Sequence, residues 1–315
     1  MSDVRQVWLN DRLVDERAAS VSVYDRGFLF GDGVYELVRF FRCDVGPTAA
    51  SGRRRHGVAM ELHVARLRRS LQLARIEGFD AHQLDHVCHA VLDANGLDDA
   101  AVYVQITRGA GPSRSHVPQG PLTPTVFASA TVCEPIERFC QPATVAAITL
   151  EDVRWKLCQI KTISLMGNIL ALLEADAHGA TEAILYRTQD GRAIVGEGAY
   201  TNVFAVIDGT LVTPPLDDDP PILHGVTRAD AVTFAPRAGI ATVVRPITLD
   251  ELRTADEVII SSSRRLVSAV TTLDGATVGA GRAGPIAIAL FHAMRQHIVE
   301  QCGSAAHLTP VPTVA

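Results

Sequence analysis

Lys156 and Lys161 are the only lysines among the 29 lysines and arginines of this 315-residue chain. Arginine can replace lysine wherever only a positive charge is needed, but its guanidinium stays protonated and cannot attack a carbonyl group. A lysine in so arginine-rich a chain is therefore a candidate Schiff-base nucleophile. On composition alone, two leftover surface charges are an equally good interpretation.

The neighbouring residues distinguish the two lysines. Lys156 follows Trp155 and the charged run at 151–154, which predicts a solvated surface segment. Lys161 lies in the apolar stretch 157–166, with no other charged residue within four positions. Removal from water favours the neutral form of an amine, which is the nucleophilic form. Lys161 is therefore the predicted nucleophile.

Two other parts of the sequence could bind a cofactor that reacts with a lysine. Residues 222–228 place a glycine, backbone amides and a hydroxyl at a predicted helix start, which suits a phosphate group, although an ordinary helix start is the alternative. Residues 261–263 add three serine hydroxyls after an apolar strand. Glu197 lies between two glycines, where a carboxylate could keep a pyridine nitrogen protonated. The lysine, the phosphate site and the carboxylate together point to pyridoxal phosphate.

The composition is that of an ordinary globular protein, with 47% hydrophobic and 20% charged residues. With a net charge of −6, nothing favours binding to nucleic acid or to an anionic membrane. We expect a cytoplasmic location, because the sequence shows neither an apolar leader nor a membrane span. The six cysteines and 11 histidines lack the spacing of metal ligands, so we expect reduced thiols and no metal site.

The hydrophobic pattern predicts the elements that must position these residues. In the first half, strands are predicted at 7–9, 13–14, 34–41 and 102–106. Residues 46–57 predict an exposed loop with a solvated basic tip, and residues 109–124 predict a long loop. Two helices between them have apolar faces formed by Val64, Leu67, Leu71 and Ala74, and by Leu84, Val87, Cys88, Val91 and Leu92, the second ending at Gly96.

The second half has a similar mixture of strands and helices. A strand is predicted at 144–149 and a short buried strand at 258–261, with Asp-Gly hairpin turns at 190–191 and 208–209. A helix is predicted from Ser164 to His178, ending at Gly179, and another starts near Gly225. The first of these has one apolar face, formed by Leu165, Ile169, Leu172 and Leu173. Together the elements indicate an α+β protein with a linker at 134–142.

Several sequence blocks, in this order, resemble the fold-type IV pyridoxal-phosphate enzymes. That class includes the D-amino-acid, branched-chain and R-selective amine transaminases and aminodeoxychorismate lyase. The match runs from Trp8 to about Gly275, and D-amino-acid transaminase is the closest resemblance. The blocks are DRGFLFGDGVYE at 25–36, HVARL at 63–67, QIKT at 159–162, EGAYTNVF at 197–204 and GVTR at 225–228.

The resemblance implies a two-domain fold-type IV enzyme, usually a homodimer, with pyridoxal phosphate as its cofactor. The smaller N-terminal α+β domain would cover 1–133, the larger C-terminal cofactor-binding domain 143–303, and a tail 304–315. Lys161 would hold the cofactor as a Schiff base and move the proton, and Glu197 would meet the pyridine nitrogen. The other implied cofactor-binding residues are Arg66, Val226, Thr227, Ser262 and Ser263 at the phosphate and Leu223 on the ring.

The loop at 109–118 resembles the substrate loop of the D-amino-acid transaminases. There, Arg114 and His116 would hold the substrate α-carboxylate together with Tyr35, since arginine can bind a carboxylate through two hydrogen bonds. A solvated arginine and histidine in a loop are the alternative. The Arg-x-His pair is shifted by one residue relative to the following proline.

Other departures from the family pattern concern the substrate. Arg264 stands where relatives carry a small residue, so it could contact a carboxylate or narrow the pocket. Tyr200 replaces a small polar residue, and the 46–57 loop is longer than usual.

The predicted function is transamination of D-amino acids in two half-reactions, with 2-oxoglutarate or pyruvate as the acceptor. The alternatives are a branched-chain or R-amine transaminase, aminodeoxychorismate lyase, and a non-catalytic protein that binds the cofactor.

Overall fold

A computed structural model of the chain describes residues 5–43, 54–217 and 221–303. These residues divide into two units. Of the described residues, unit 1 contains 5–43, 54–138, 160–165 and 301–303, and unit 2 contains 139–159, 166–217 and 221–300. The short segment that carries Lys161 therefore belongs to unit 1.

Unit 1 is built on a six-stranded antiparallel sheet of order β2-β1-β6-β5-β3-β4. Its strands are β1 (Gln6–Leu9), β2 (Arg12–Asp15), β3 (Gly33–Arg42), β4 (Arg55–Gly57), β5 (Ala100–Thr107) and β6 (Thr125–Val132). Its helices are α1 (Arg26–Phe30), α2 (Met60–Ala74) and α3 (Gln83–Asn95). The apolar faces of α2 and α3 form one core with β3 and β5, as their helical periodicity predicted.

Unit 2 contains a mixed ten-stranded sheet, whose main path is β12-β11-β10-β14-β15-β7-β8-β9-β13 with β16 paired to β15. The strands are β7 (Ala143–Glu151), β8 (Glu182–Gln189), β9 (Arg192–Gly198), β10 (Asn202–Ile207), β11 (Thr210–Thr213), β12 (Thr242–Val244), β13 (Ile247–Thr248), β14 (Glu257–Ser262), β15 (Leu266–Leu273) and β16 (Ala276–Thr277). The helices are α4 (Met166–Ala177), α5 (Val226–Phe234), α6 (Leu249–Arg253) and α7 (Pro285–Cys302), the last two residues of α7 grouping with unit 1.

The two predicted Asp-Gly hairpins are confirmed. Asp190 and Gly191 join β8 to β9, and Asp208 and Gly209 join β10 to β11. All four residues have positive φ angles, between 47° and 75°. This is the backbone conformation of the two-residue turns that fit the twist of paired strands, and aspartate followed by glycine favours it.

The expected loop at 46–57 is wrong at its C-terminal end. Arg55, predicted to be solvated, is buried at the start of β4 and pairs with Asp93 at 2.5 Å and Asp98 at 3.2 Å. In the sequence, a basic triplet is typical of an exposed loop. The two carboxylates that pair with Arg55 come from a distant part of the chain, so no local pattern indicates them. Residues 44–53 lie outside the described part of the structure.

The predicted apolar face of α4 is only partly buried within unit 2. Met166, Ile169, Leu170 and Leu173 are between 48% and 68% exposed, and the helix packs on its sheet through Ala171, Leu172 and Ala175. Of the residues predicted to form that face, Leu172 packs on the sheet, whereas Ile169 and Leu173 are exposed. Among the described helices, none is both long enough and apolar enough to cross a membrane.

Candidate active site

Lys161 and Tyr35 meet in unit 1. The Lys161 Nζ atom lies 4.3 Å from the centroid of the Tyr35 ring, which suits a cation–π contact. Lys161 is half-buried whereas Lys156 is exposed, as the two sequence environments predicted. The aromatic ring shields the amine from water on one side.

Backbone hydrogen bonds to β3 fix the position of Lys161. The Tyr35 amide donates to the Lys161 carbonyl at 2.9 Å, and the Ile163 amide donates to the Gly33 carbonyl at 3.1 Å. The Lys161 amide itself donates to Ser70 Oγ on α2 at 3.1 Å. A single antiparallel bridge between Val34 and Thr162 thus joins the segment to β3 and holds the lysine in place.

Glu36, the next residue of β3, joins Arg66 and His63 in a buried cluster. Arg66 donates through Nε at 2.8 Å and through Nη2 at 2.7 Å, one bond to each Glu36 oxygen. His63 Nδ1 lies 2.6 Å from Glu36 Oε2. This two-bond contact fixes the guanidinium plane of Arg66, the predicted phosphate ligand.

The ionisation of this cluster follows from its burial and its partners. Burial alone would raise the pKa of Glu36, but the charge and hydrogen bonds of Arg66, with those of His63, outweigh it and hold that pKa far below its ordinary value. Burial lowers the pKa of His63, and the nearby charges of Arg66 and Lys161 add to this against the attraction of Glu36. At neutral pH the cluster is therefore a carboxylate paired with arginine, beside an uncharged histidine.

Arg114 and His116 lie in a second cluster of unit 1, around the ring of Phe30. The Arg114 Cζ atom is 4.9 Å from the ring centroid, and the centroid of the His116 ring is 5.4 Å away. Arg26 donates to the backbone carbonyls of Ser115 and His116 at 2.5 and 2.9 Å. Arg114 itself is exposed, so the loop is pinned through its backbone while the guanidinium is presented to solvent.

A chain of ion pairs holds Arg26 in place. Its Nε lies 2.7 Å from Asp32 Oδ2, and Arg108 pairs with the same carboxylate at 2.8 Å. Burial would raise the pKa of Asp32, but the two arginines lower it overall. The 25–36 sequence block therefore supplies the support for the 109–118 loop as well as Tyr35 and Glu36.

Glu197 is the centre of the candidate site in unit 2. It is 3% exposed at the end of β9, and its Oε2 accepts the Leu223 amide at 2.9 Å. Arg154 Nη1 lies 3.1 Å from the other oxygen, Oε1. Asn202 donates to the Leu223 carbonyl at 3.1 Å and so holds the same loop at a second point.

Arg154 is itself held by a buried carboxylate. It donates two hydrogen bonds to Asp152, at 2.9 and 3.0 Å, and Arg187 lies 3.1 Å from the same group. Burial raises the pKa of Glu197, and Arg154 and the Leu223 amide oppose that rise. The prediction of a solvated charged segment at 151–154 is therefore wrong at two positions, because Asp152 and Arg154 keep only 4% and 10% of their side chains exposed.

The predicted phosphate site lies at the start of α5. Gly225 precedes the helix and provides no side chain to cap it, so the first-turn amides of Val226 and Thr227 are available to a ligand. Any side chain at position 225 would collide with Asn202. Ser262 and Ser263 are half-buried at the end of β14, and Arg264 beside them is exposed.

Comparison with known proteins decides the family. The model of the family described as amino-transferase class IV matches residues 33–273. The chain is a class IV aminotransferase. It is 36% identical to the D-alanine aminotransferase of Listeria innocua over 95% of this chain and 98% of that protein, and 34% identical to that of Staphylococcus epidermidis over 93% and 98%.

Solved structures show the same fold. The branched-chain aminotransferase of Thermoproteus uzoniensis, solved with norvaline, superposes with a TM-score of 0.81 at 26% identity, over 95% of this chain and 96% of that one. That of Escherichia coli superposes with a TM-score of 0.79 at 24% identity, over 95% and 94%. The predictions of an α+β fold of type IV and of a pyridoxal-phosphate-dependent aminotransferase are confirmed.

The residues of this class IV aminotransferase fit its cofactor. Uncapped helix amides suit a phosphate, and a buried carboxylate suits a protonated pyridine nitrogen. The hydroxyl of Ser261, next to the predicted phosphate ligands, is buried without a hydrogen-bond partner in the described structure. Within the same residues, no cluster of three or more side chains could bind a metal ion.

Sequence reasoning missed several residues around the aminotransferase site. Glu36 and His63 were noticed only as members of matching blocks, and Arg187 and Asn202 were not considered as site residues. A signal existed for Asp152 and Arg154, since two charges at i and i+2 in an extended segment point to the same side. Glu197 and Arg187, which also pair with them, lie far away in sequence and leave no local pattern.

Proposed function

We propose that this aminotransferase transfers the amino group of a D-amino acid to a 2-oxo acid, either 2-oxoglutarate or pyruvate, in two half-reactions. The observation that carries the proposal is the fixed loop that presents Arg114 beside Phe30, because a guanidinium there can bind the α-carboxylate of an amino acid. The D-alanine aminotransferases that the chain resembles over nearly their whole length support the D configuration.

Residues of unit 1 have two separate tasks in this proposal. When bound, pyridoxal phosphate supplies the electron sink that makes the substrate Cα–H acidic. Lys161 would hold the cofactor, and once the substrate amino group has displaced it from the cofactor its free amine would move the proton at the substrate Cα, while Tyr35 would shield that amine. Tyr35, Arg114 and His116 hold the substrate carboxylate and so select the enantiomer.

The remaining residues bind the cofactor. Glu197 would accept a hydrogen bond from the protonated pyridine nitrogen, and Arg154, 3.1 Å from the Glu197 carboxylate, opposes the rise in the pKa of Glu197 that burial causes. Leu223 packs on the ring. The phosphate is bound by the amides of Val226 and Thr227, with Arg66, Ser262 and Ser263 as further donors.

Half-reactions with single amino donors test the proposal. D-alanine and D-glutamate should convert the bound cofactor from the pyridoxal to the pyridoxamine form within seconds, and L-alanine should do so at least about a hundredfold more slowly, because its Cα–H points away from Lys161. The absorption spectrum of the cofactor reports the conversion. R-phenylethylamine is the matched donor without a carboxylate.

The alternatives give different results in the same experiment. Fast conversion by L-leucine or L-valine would show a branched-chain transaminase, and preference for R-phenylethylamine would show an amine transaminase. A lyase would release pyruvate from its substrate without needing an amino acceptor. Any of these outcomes would overturn the D-amino-acid proposal.

We also propose a homodimer, supported by α4. Its four exposed apolar residues, 166, 169, 170 and 173, form a continuous face that a second copy of the chain would cover. Sedimentation should give twice the 33.8 kDa of one chain, and Leu173→Glu should shift the protein towards the monomer. A wild-type monomer at micromolar concentration would contradict this.

Six cysteines without disulfides fit the proposed cytoplasmic location.

A further inference from the structure

A tight turn joins Glu197, at the end of β9, to Asn202, at the start of β10. Both of these residues hold the backbone of Leu223, Glu197 through its amide and Asn202 through its carbonyl. The position of the Glu197 carboxylate therefore depends on the shape of the turn formed by residues 198–201.

Glu182, the first residue of β8, lies beneath this turn and is fully buried. Its Oε1 accepts the amides of Ala183 at 2.8 Å and Ala199 at 2.9 Å, and its Oε2 accepts the hydroxyl of Thr201 at 2.7 Å. The backbone of Tyr200 donates to it as well. Three consecutive residues of the turn thus donate to one carboxylate.

The fit around this carboxylate leaves no spare room. A Cβ atom at Gly198 would lie 2.8 Å from Glu182 Oε2 and would collide with the Thr201 hydroxyl. Asn168 on α4 holds the turn from another side, donating to the Ala199 carbonyl at 2.5 Å. Because Glu182 and the turn are closely packed, a change at Glu182 should move the turn.

The charge of Glu182 depends on the same contacts. Burial raises its pKa to about 7, and the hydrogen bonds from Thr201 and from the backbone amides hold it from rising further. A buried carboxylate that accepts hydrogen bonds from N–H and O–H groups orders those groups mainly while each of them points at it. The carboxylate and the turn therefore support each other.

We propose that Glu182 is a positioning residue for the aminotransferase reaction, which fixes the 198–201 turn and thereby aims Glu197 at the pyridine nitrogen of the cofactor. This inference rests on the proposed role of Glu197.

Glu182→Gln is the first test. It keeps the size of the side chain but replaces one acceptor oxygen with an NH₂ group, which faces groups that are themselves hydrogen-bond donors. The probe is the holoenzyme loaded with pyridoxal phosphate carrying nitrogen-15 in its ring, whose NMR shift reports whether that nitrogen is protonated. The signal should move towards the unprotonated position, and the dissociation constant of the cofactor should rise about tenfold or more. Glu197→Gln, which removes the carboxylate charge itself, should give the largest shift of the ring-nitrogen signal.

Matched controls separate positioning from general loss of stability. Ile184→Val removes a buried methyl group from β8, the strand that carries Glu182, and should lower the stability of the protein. Glu174→Gln removes an exposed carboxylate on α4. Neither should move the ring-nitrogen signal. Thr201→Val removes a single hydroxyl donor to Glu182, and it should shift the signal in the same direction by less. Combined with Glu182→Gln, its effect should be less than additive.

Each outcome supports or overturns the inference. If Glu182→Gln does not fold, Thr201→Val alone decides it. A wild-type ring-nitrogen signal in these variants, with only a lower Tm, would show that Glu182 is merely structural. If Glu197→Gln itself leaves the signal unchanged, the proposed role of Glu197 is wrong, which is a different failure.

Discussion

Lys161→Arg should lose the covalent bond to the cofactor and at least about a thousandfold in transamination rate, although the charge is kept. The guanidinium cannot form a Schiff base, and it stays protonated, so it cannot accept the proton from the substrate either. Borohydride treatment of the wild-type protein, followed by peptide mapping, should place the reduced cofactor on the peptide that contains Lys161.

Lys156→Arg is the natural control for this experiment. Lys156 is exposed and five residues away, so this variant should keep both the bond and the activity. Label on Lys156 in the wild-type protein, or full activity of Lys161→Arg, would overturn the assignment of the nucleophile.

Arg114→Ala should lower kcat/KM for D-alanine by roughly thirtyfold or more, because the substrate carboxylate would lose its charged partner. The reaction of R-phenylethylamine, which has no carboxylate, should change much less. The ratio of the two rates therefore isolates recognition of the carboxylate from damage to the loop. His116→Ala should lower the same ratio by a smaller factor.

Arg264→Ala distinguishes the other possible anchor of the carboxylate. Arg264 is exposed beside the predicted phosphate ligands in unit 2, and Arg114 is held by a separate cluster in unit 1. We expect a small effect on D-alanine from Arg264→Ala. A large loss in this variant and a small one in Arg114→Ala would exchange the two roles.

Local patterns predicted the parts of the fold that local physics decides. The spacing of Leu67 and Leu71 identified the buried face of α2, and the Asp-Gly pairs identified the hairpins of unit 2. The family was identified from motifs in sequence, and the comparisons confirm it. The individual roles of the site residues stay predictions.

Long-range contacts account for what the sequence did not predict. Arg55 and Arg154 belong to charged runs, which usually lie on the surface, yet both are largely buried. Arg55 pairs with Asp93 and Arg154 pairs with Glu197, both of which are distant in sequence. Glu182 gave no signal at all, since its donors come from a turn that exists only in the folded protein. Periodicity describes one element at a time and says nothing about such partners.

The placement of Lys161 in unit 1 has a consequence for protein synthesis. Thr162 donates to the Gly33 carbonyl across 129 positions of sequence, so the edge of β3 beside Tyr35 is completed by a segment translated much later. Residues 160–165 must have left the ribosome before they can pair with β3. By that time β7, the first strand of unit 2, has also been translated. Pairing over so long a separation is slow, and until it occurs the edge of β3 is open to wrong partners. Lys161, the predicted nucleophile, therefore reaches its place beside β3 only after all six strands of that sheet have been translated.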